Sequence, residues 1–209
     1  MLNYQGFDQW SGAYDEDILR MQNEGYPFEG YYHTLGTIQT MVLSNHARQV
    51  LDIGIGTGLL SEVLYRAGVQ ITGIDFSEKM LAQAKQKMPN GTFIPFDFNA
   101  GLPEEVADST FDCIISSYAI HHINDQKKVD LICESLKHLN SGGWILIGDV
   151  AFESEQAMLE VKAKSSGWDD SEYYMIADQI IAALSQKNIP AVFKKTSRCS
   201  GVLQIQGKG

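Results

Sequence analysis

The stretch Val50-Leu51-Asp52-Ile53-Gly54-Ile55-Gly56-Thr57-Gly58 decides the fold prediction, because it passes from an apolar strand into a loop with three glycines. Glycine lacks a Cβ atom, so such a loop can turn sharply and approach a ligand with its backbone. A dinucleotide fingerprint needs glycine or alanine at position 59, where Leu59 stands, and a P-loop needs Gly-Lys-Ser/Thr, where the chain has Gly58-Leu59-Leu60. No lysine or arginine occurs between positions 49 and 65, so the predicted ligand is not a polyphosphate.

Around this loop, strand patterns alternate with apolar residues at helical spacing. Apolar runs predict five strands, at residues 49–53, 70–75, 92–96, 111–117 and 143–150. This alternation indicates βαβ units in a mostly parallel sheet with helices on both faces. A helix at 171–187 and two closely joined strands at 189–195 and 201–206 predict an antiparallel hairpin at the end. The predicted fold class is α/β: a Rossmann-like, doubly wound sheet with a C-terminal antiparallel hairpin strand.

Polar side chains follow the predicted strands at their carboxyl ends, where open α/β sheets bind their ligands. Asp75 ends the second strand and can accept both hydroxyl protons of a ribose; the alternative is that it caps the helix beginning near Ser77. Asp97 follows the third strand and can accept the exocyclic amine of a purine, with Phe98 packing nearby. Ser116 lies at the end of the fourth strand. A ligand site is therefore predicted at this edge of the sheet.

Four segments resemble the motifs of class I S-adenosylmethionine-dependent methyltransferases, in order and with normal spacing. The segments are the glycine loop at 50–58, the ribose-binding segment at 73–81, the fourth-strand motif at 111–122 and the turn into the fifth strand at 139–147. The third of these is similar to the small-molecule members of the family. Residues 7–15 also resemble the N-terminal segment of many small-molecule members.

The resemblance implies S-adenosylmethionine as the cofactor, whose sulfonium methyl group is attacked in line by a small-molecule acceptor. It implies that the glycine loop lies along the methionine end, that Asp75 holds the ribose and that Asp97 holds the adenine. Asp52 would shape the loop or reach the methionine amino group through water. The cofactor-binding residues expected on this basis are Tyr14, Asp52, Gly54, Gly56, Gly58, Asp75, Phe76, Met80, Asp97, Phe98 and Ser116.

Two adjacent histidines, His121 and His122, lie just beyond the fourth strand, near the expected acceptor. A histidine can accept a proton near neutral pH, so both are candidate general bases; the alternative is that one only packs or caps the next helix. No metal is expected, because Asp149 at the end of the fifth strand has no carboxylate partner at Ser116 or Ser117.

The N-terminal segment, residues 1–46, is predicted to be a helical lid over a methyltransferase domain at 47–209. Its aromatic residues up to position 33 are Tyr4, Phe7, Trp10, Tyr14, Tyr26, Phe28, Tyr31 and Tyr32. Several glycines interrupt the stretch, as a rearranging segment requires, and a cationic sulfonium favours aromatic faces and exclusion of water. The alternative is an extra helical layer fixed on the sheet.

Composition narrows the function classes. Lys and Arg number 16 against 26 Asp and Glu, for a net charge of −10, which disfavours a nucleic-acid partner. No signal peptide and no apolar membrane span are evident, and the three cysteines form no C-x-x-C pair, so a cytoplasmic location is expected. The alternatives left open are a methyltransferase acting on a macromolecule and a non-catalytic module that binds S-adenosylmethionine; Leu59 argues against a nicotinamide oxidoreductase. The acceptor and the oligomeric state leave no pattern in the sequence.

Overall fold

The computed structural model of the protein describes residues 12–21 and 25–207. Its α-helices are α1 (Tyr14–Met21), α2 (Tyr31–Ser44), α3 (Leu59–Arg66), α4 (Glu78–Lys87), α5 (Asp125–Ser135), α6 (Glu155–Lys162) and α7 (Ala177–Gln186). Its strands are β1 (Gln49–Ile53), β2 (Gln70–Asp75), β3 (Thr92–Pro95), β4 (Phe111–Ser117), β5 (Leu139–Phe152), β6 (Met175–Ile176), β7 (Ala191–Lys195) and β8 (Ser200–Gln206). None of the described helices has the length and apolarity needed to cross a membrane.

The strands form one sheet in the order β3-β2-β1-β4-β5-β8-β7, with β6 beside the end of β5. The first five strands pair in parallel, whereas β8 runs antiparallel between β5 and β7. The predicted α/β fold class with its C-terminal antiparallel hairpin is therefore confirmed. The direction of winding changes between β1 and β4, so the ends of these two strands border the crevice in which such sheets bind ligands.

Helices cover both faces of the sheet. Successive strand residues point to opposite sides, so each central strand contributes side chains to two apolar clusters. Val50, Ile115 and Leu146 lie in the cluster that contains the buried residues of α2, α3 and α4. Leu51, Ile114 and Ile145 lie in the other cluster, beneath α5 and α7. Both faces of the central strands are buried, and this explains their nearly continuous apolar sequences.

Helix α2, which lies within the predicted lid segment at 1–46, packs against the sheet in the core of the domain. Ile38 is fully buried and Thr34 is buried beside it. A Cβ atom on Gly148 of β5 would lie 2.6 Å from Thr34 Cγ2 and 2.8 Å from Ile38 Cδ1, so glycine at this position allows the close approach of helix and sheet. The lid hypothesis therefore applies only to the chain before α2. Of its aromatic residues, Tyr4, Phe7 and Trp10 lie outside the described residues.

The predicted helix at 171–187 begins six residues later than expected. The Asp169 side chain accepts hydrogen bonds from the backbone N–H of Ser171 at 2.8 Å and from its hydroxyl at 2.6 Å, a local turn that competes with a helix. Met175 and Ile176 are buried and pair with the end of β5. Residues 171–174 therefore form a turn, a bend and a short loop that lead into β6, and in this stretch Glu172 reaches His122 at the ligand-binding edge.

Candidate functional site

A cavity opens at the carboxyl ends of β1, β2 and β4, at the predicted edge of the sheet. It holds about 550 Å³ of empty space, part of which is continuous with solvent. The described residues that line it are Tyr31, Gly54, Ile55, Gly56, Thr57, Leu59, Leu60, Asp75, Phe76, Met80, Phe98, Ser117, Tyr118, Ala119 and His122. None of these residues is a lysine or an arginine. The cavity therefore offers no described lysine or arginine side chain to a phosphate group.

The three glycines of the loop have different roles, although all have positive φ angles of 72°, 55° and 83°. A Cβ atom on Gly54 would lie 2.4 Å from Ala119 Cβ, so the loop crosses directly over the end of β4. A Cβ atom on Gly58 would lie 2.6 Å from Met88 Cε, so this glycine serves the packing of α4 and does not line the cavity. Nothing lies within 4 Å of a Cβ atom on Gly56, where the backbone faces open space. Gly54 and Gly56 are thus the glycines beside the predicted ligand.

Asp75 is the carboxylate on the wall of the cavity. Only 7% of the residue is exposed, and burial raises the pKa of its carboxyl group although N–H donors oppose the shift. Its Oδ2 accepts a hydrogen bond from Gly56 N–H at 2.8 Å, and its Oδ1 accepts one from Ser77 N–H at 2.9 Å. The cap of α4 is the Ser77 hydroxyl, which accepts from Met80 N–H at 3.2 Å. The carboxylate therefore keeps lone pairs for a ligand while two backbone groups fix its position.

Three of the other candidates are held away from the cavity. Asp52 is buried, and its Oδ2 accepts a hydrogen bond from the Ser61 hydroxyl at 2.6 Å. Its Oδ1 has no hydrogen-bond partner among the described residues, and burial raises its pKa to about 7. Ser116 donates from its hydroxyl to the Ile53 carbonyl at 2.7 Å, and the neighbouring Ser117 lines the cavity in its place. Asp97 is exposed and caps the turn Phe98–Ala100.

The two histidines lie in a 3₁₀ turn at Ile120–His122, with their ring centroids 4.1 Å apart. His121 Nδ1 lies 2.6 Å from Oδ1 of the fully buried Asp149, and His121 N–H donates to Oδ2 at 3.1 Å. Burial alone would lower the pKa of His121, but the Asp149 carboxylate outweighs it and the pKa is raised. His122 Nδ1 lies 2.9 Å from Oε2 of Glu172, whose side chain is 9% exposed. Of the two histidines, only His122 lines the cavity.

Helix α1 lies over the glycine loop and is tied to it by Asp15. The Thr57 hydroxyl donates to Asp15 Oδ1 at 2.6 Å, and Lys87 Nζ of α4 pairs with Oδ2 at 2.5 Å. Ile18 of the same helix is fully buried. The backbone of Tyr14 begins α1, but its side chain lies outside what the structure describes. Residues 7–15 were singled out for their resemblance, yet Asp15 was not, because an exposed-looking acid carries no signal of its partners.

Comparison with known proteins identifies the family of the chain. The methyltransferase domain family matches residues 50–143. An uncharacterized methyltransferase of Alkaliphilus oremlandii (strain OhILAs) is 36% identical over 175 residues, which cover 83% of this chain and 78% of that protein. The chain belongs to this methyltransferase family, and the predicted resemblance to the class I enzymes is confirmed.

Two solved structures share the fold at low identity. The complex of DhpI with SAH (S-adenosylhomocysteine) has a TM-score of 0.73 at 14% identity, covering 98% of this chain and 95% of that one. Magnesium protoporphyrin IX methyltransferase from Synechocystis PCC 6803 with bound SAH has a TM-score of 0.69 at 18% identity, covering 96% and 98%. At these identities the likeness concerns the architecture alone.

Proposed function

We propose that this protein transfers a methyl group from S-adenosylmethionine to a small-molecule acceptor. One observation carries the proposal: the cavity combines a buried carboxylate with glycine backbone and has no lysine or arginine among its described lining residues. S-adenosylmethionine has a ribose diol that needs an acceptor and a positive sulfonium, and it has no phosphate. Both solved structures described above, which share this fold, contain SAH. The groups that line the cavity therefore fit S-adenosylmethionine better than a dinucleotide.

In this proposal the chain contributes binding and orientation. Asp75 would accept the ribose hydroxyl protons, and the backbone at Gly54 and Gly56 would lie along the methionine moiety. Apolar contacts to the adenine would come from Phe76, Met80 and Phe98, which line the cavity. When bound, S-adenosylmethionine supplies an electrophilic methyl group. The protein holds the acceptor in line with that group and keeps water away.

Asp52, Gly58, Asp97 and Ser116 would act on the cofactor indirectly, since they do not line the cavity. Asp52 holds the first turn of α3 through Ser61 and so shapes the loop that follows β1. Asp97 fixes the turn that presents Phe98, because its side chain accepts a hydrogen bond from Asn99 N–H at 2.9 Å. Tyr14 stays a proposed contact on the basis of its resemblance alone.

We further propose that the acceptor is a small molecule and that the protein acts in the cytoplasm without a nucleic-acid partner. The net charge of −10 gives little attraction for a phosphate backbone. All three cysteines are free thiols, as is usual in a reducing compartment. The magnesium protoporphyrin IX methyltransferase offers a precedent for a small-molecule acceptor on this fold.

Three measurements test the proposed function. In calorimetry, S-adenosylmethionine and SAH should bind with micromolar Kd, on the order of −8 kcal/mol, and NAD⁺ should bind far more weakly. Methyl-labelled S-adenosylmethionine should then transfer its label to a component of a fractionated metabolite extract. Preferential binding of NAD⁺, or label appearing only in protein or nucleic acid, would contradict the proposal. Anisotropy titrations with tRNA and duplex DNA at physiological salt should show no sub-micromolar binding.

A further inference from the structure

Two histidine–carboxylate pairs stand side by side at the ends of β4 and β5. A carboxylate can only accept a hydrogen bond, so each neutral ring must carry its proton on Nδ1, the atom that faces the carboxylate. Nε2 is then the basic nitrogen of both rings. This arrangement, in which a carboxylate fixes the tautomer of a histidine, prepares Nε2 to accept a proton from another group.

The two pairs differ in what they reach. His121 is bound through its ring and its backbone N–H to Asp149, and its carbonyl accepts from Tyr173 N–H at 2.8 Å. It does not line the cavity. His122 and Asp75 both line the cavity, and their side chains interact electrostatically. The two adjacent histidines therefore have different surroundings: His121 fixes the turn, and His122 lines the cavity.

We propose that His122 is the general base of the methyl transfer, that Glu172 is its positioning residue, and that the acceptor is a hydroxyl, thiol or ammonium group. This inference rests on the proposed function. The acceptor atom forms the new bond to the methyl carbon as the sulfur–carbon bond breaks, and the electron pair of that bond stays on sulfur. The acceptor's proton passes to Nε2 of His122 and from there to solvent; an ammonium group gives up its proton before the methyl transfer, because only the neutral amine has a lone pair for the new bond. The charges balance, because the sulfonium becomes a neutral thioether while the imidazole becomes an imidazolium.

The charges around the pair favour an acceptor of this class. A carboxylate acceptor has no proton to lose at neutral pH and would need a cation to hold it, and the described lining residues provide neither lysine nor arginine. Asp149 and Glu172 outweigh burial and raise the pKa of His121, and Glu172 Oε2 lies 2.9 Å from His122 Nδ1. The ammonium group of Lys128 is buried, but it is bound to Asp125 and to the Tyr173 carbonyl.

Glu172 is held at His122 by its own segment of chain. Lys128 of α5 is buried, and its Nζ contacts the carbonyl of Tyr173, the residue that follows Glu172. The Tyr173 N–H donates to the His121 carbonyl. Tyr174 and Met175 are buried immediately afterwards. The chain is therefore held on both sides of Glu172, by the contacts of Ser171 and of Tyr173, and the carboxylate lies 2.9 Å from the ring of His122.

The first experiment is chemical rescue of His122→Ala, with His138→Ala as the matched control. His138 binds the Ser109 carbonyl and is not among the lining residues. We expect His122→Ala to lower label transfer to the metabolite extract about 100-fold or more, with the Kd of SAH within threefold of wild type. Millimolar imidazole should then restore at least tenfold, because it can occupy the vacated space and accept the proton. A loss under fivefold, or a loss that imidazole does not relieve, overturns the role of His122.

The second experiment concerns Glu172→Gln and reads the imidazole directly. Nitrogen-15 NMR of the histidine side chains should show His122 with its proton on Nδ1 in the wild type and a mixture of tautomers in Glu172→Gln. The exposed Glu104→Gln variant should match the wild type. Turnover should fall about tenfold in Glu172→Gln alone. An unchanged tautomer in Glu172→Gln removes Glu172 from the mechanism, and this readout does not depend on the acceptor.

A metal site at the same residues is the competing outcome, since ligand atoms of His121, His122 and Glu172 all lie within 4.8 Å of one another. Calorimetry with Zn²⁺ on the dialysed wild type distinguishes the two. Stoichiometric sub-micromolar binding that Glu172→Gln abolishes would overturn the proton-transfer role in favour of a metal. Failure of the wild type to transfer any label would contradict the proposed function, whereas an active wild type with an equally active His122→Ala would contradict only the base.

Discussion

Two parts of the site can be compared: the proposed cofactor side with Asp52 and Asp75, and the proposed acceptor side with Asp149 and Glu172. Each part has two carboxylates at strand ends or close to them, but the partners of these carboxylates differ. On the cofactor side, Asp52 and Asp75 receive only hydroxyl and backbone N–H donors. On the acceptor side, Asp149 and Glu172 each meet a histidine ring. The first arrangement suits a ligand that brings its own hydroxyl donors, and the second suits a site that takes up protons. Substitutions on the two sides should therefore change the stability of the protein in opposite directions at neutral pH.

The largest effect should come from Asp52→Asn. Because burial raises the pKa of Asp52 to about 7, the folded state holds a proton that the unfolded state releases near pH 4. The free energy of unfolding then falls as pH rises through that window. We expect the stability of Asp52→Asn relative to the wild type to increase by roughly 3 kcal/mol from pH 5 to pH 8. Urea denaturation of the variant and the wild type at both pH values measures this change, and a difference that stays constant between the two pH values would contradict this account.

His121→Asn should destabilise the protein, although its pH trend relative to wild type has the same direction as that of Asp52→Asn. The pKa of His121 is raised, so the stability gained from its bond to Asp149 is fully present below the unfolded pKa of about 6.5 and is lost as pH rises through the folded pKa. Loss of a hydrogen bond to a buried charge should destabilise the variant by roughly 1.5–3 kcal/mol at pH 6 and by less at pH 9. Thermal denaturation beside His138→Asn provides the comparison. A penalty that grows with pH would show that Asp149 does not hold a charged ring.

Asp75→Ala should weaken ligand binding, since a bound ribose diol would lose its charged acceptor. The expected loss is about 1.5–3 kcal/mol in the affinity for SAH, or roughly 10- to 150-fold in Kd. Calorimetry measures this change, with the exposed Asp108→Ala as control. An unaltered Kd would remove Asp75 from the ribose site and leave it as a support of the glycine loop.

Thr57→Ala should give the smallest effect, because it removes one hydrogen bond between the glycine loop and α1. A loss of about 1 kcal/mol corresponds to an affinity for SAH lowered about fivefold. If α1 closes over the ligand, SAH should protect the bonds before Gly30 from limited proteolysis in the wild type, and less so in Thr57→Ala. The control is Thr40→Ala on α2, whose hydroxyl bonds only within its own helix. Equal cleavage with and without SAH in the wild type would mean that this segment is a rigid cap.

The cofactor side could be predicted from the sequence because its partners lie close along the chain. The strands β1, β2 and β4 have the predicted bounds, and Asp75 lies 19 residues from the loop glycine that it binds. The acceptor side could not be predicted in the same way. His122 and Glu172 are 50 residues apart, and the segment that carries Glu172 was assigned to a helix. Helical spacing of apolar residues does not reveal that an Asp169 side chain will turn the backbone before the helix can begin.

The position of β8 has a consequence for how the protein folds during its synthesis on the ribosome. This strand follows all other described strands in sequence, yet it pairs with β5 from Trp144 to Val150 and separates β5 from β7. The parallel strands β1 to β5 leave the ribosome first, and until β8 arrives the edge of β5 presents unpaired N–H and C=O groups to other nascent chains. We therefore expect translation that stops before Ser200 to yield an aggregating chain, even though every residue of the cofactor side has already been made.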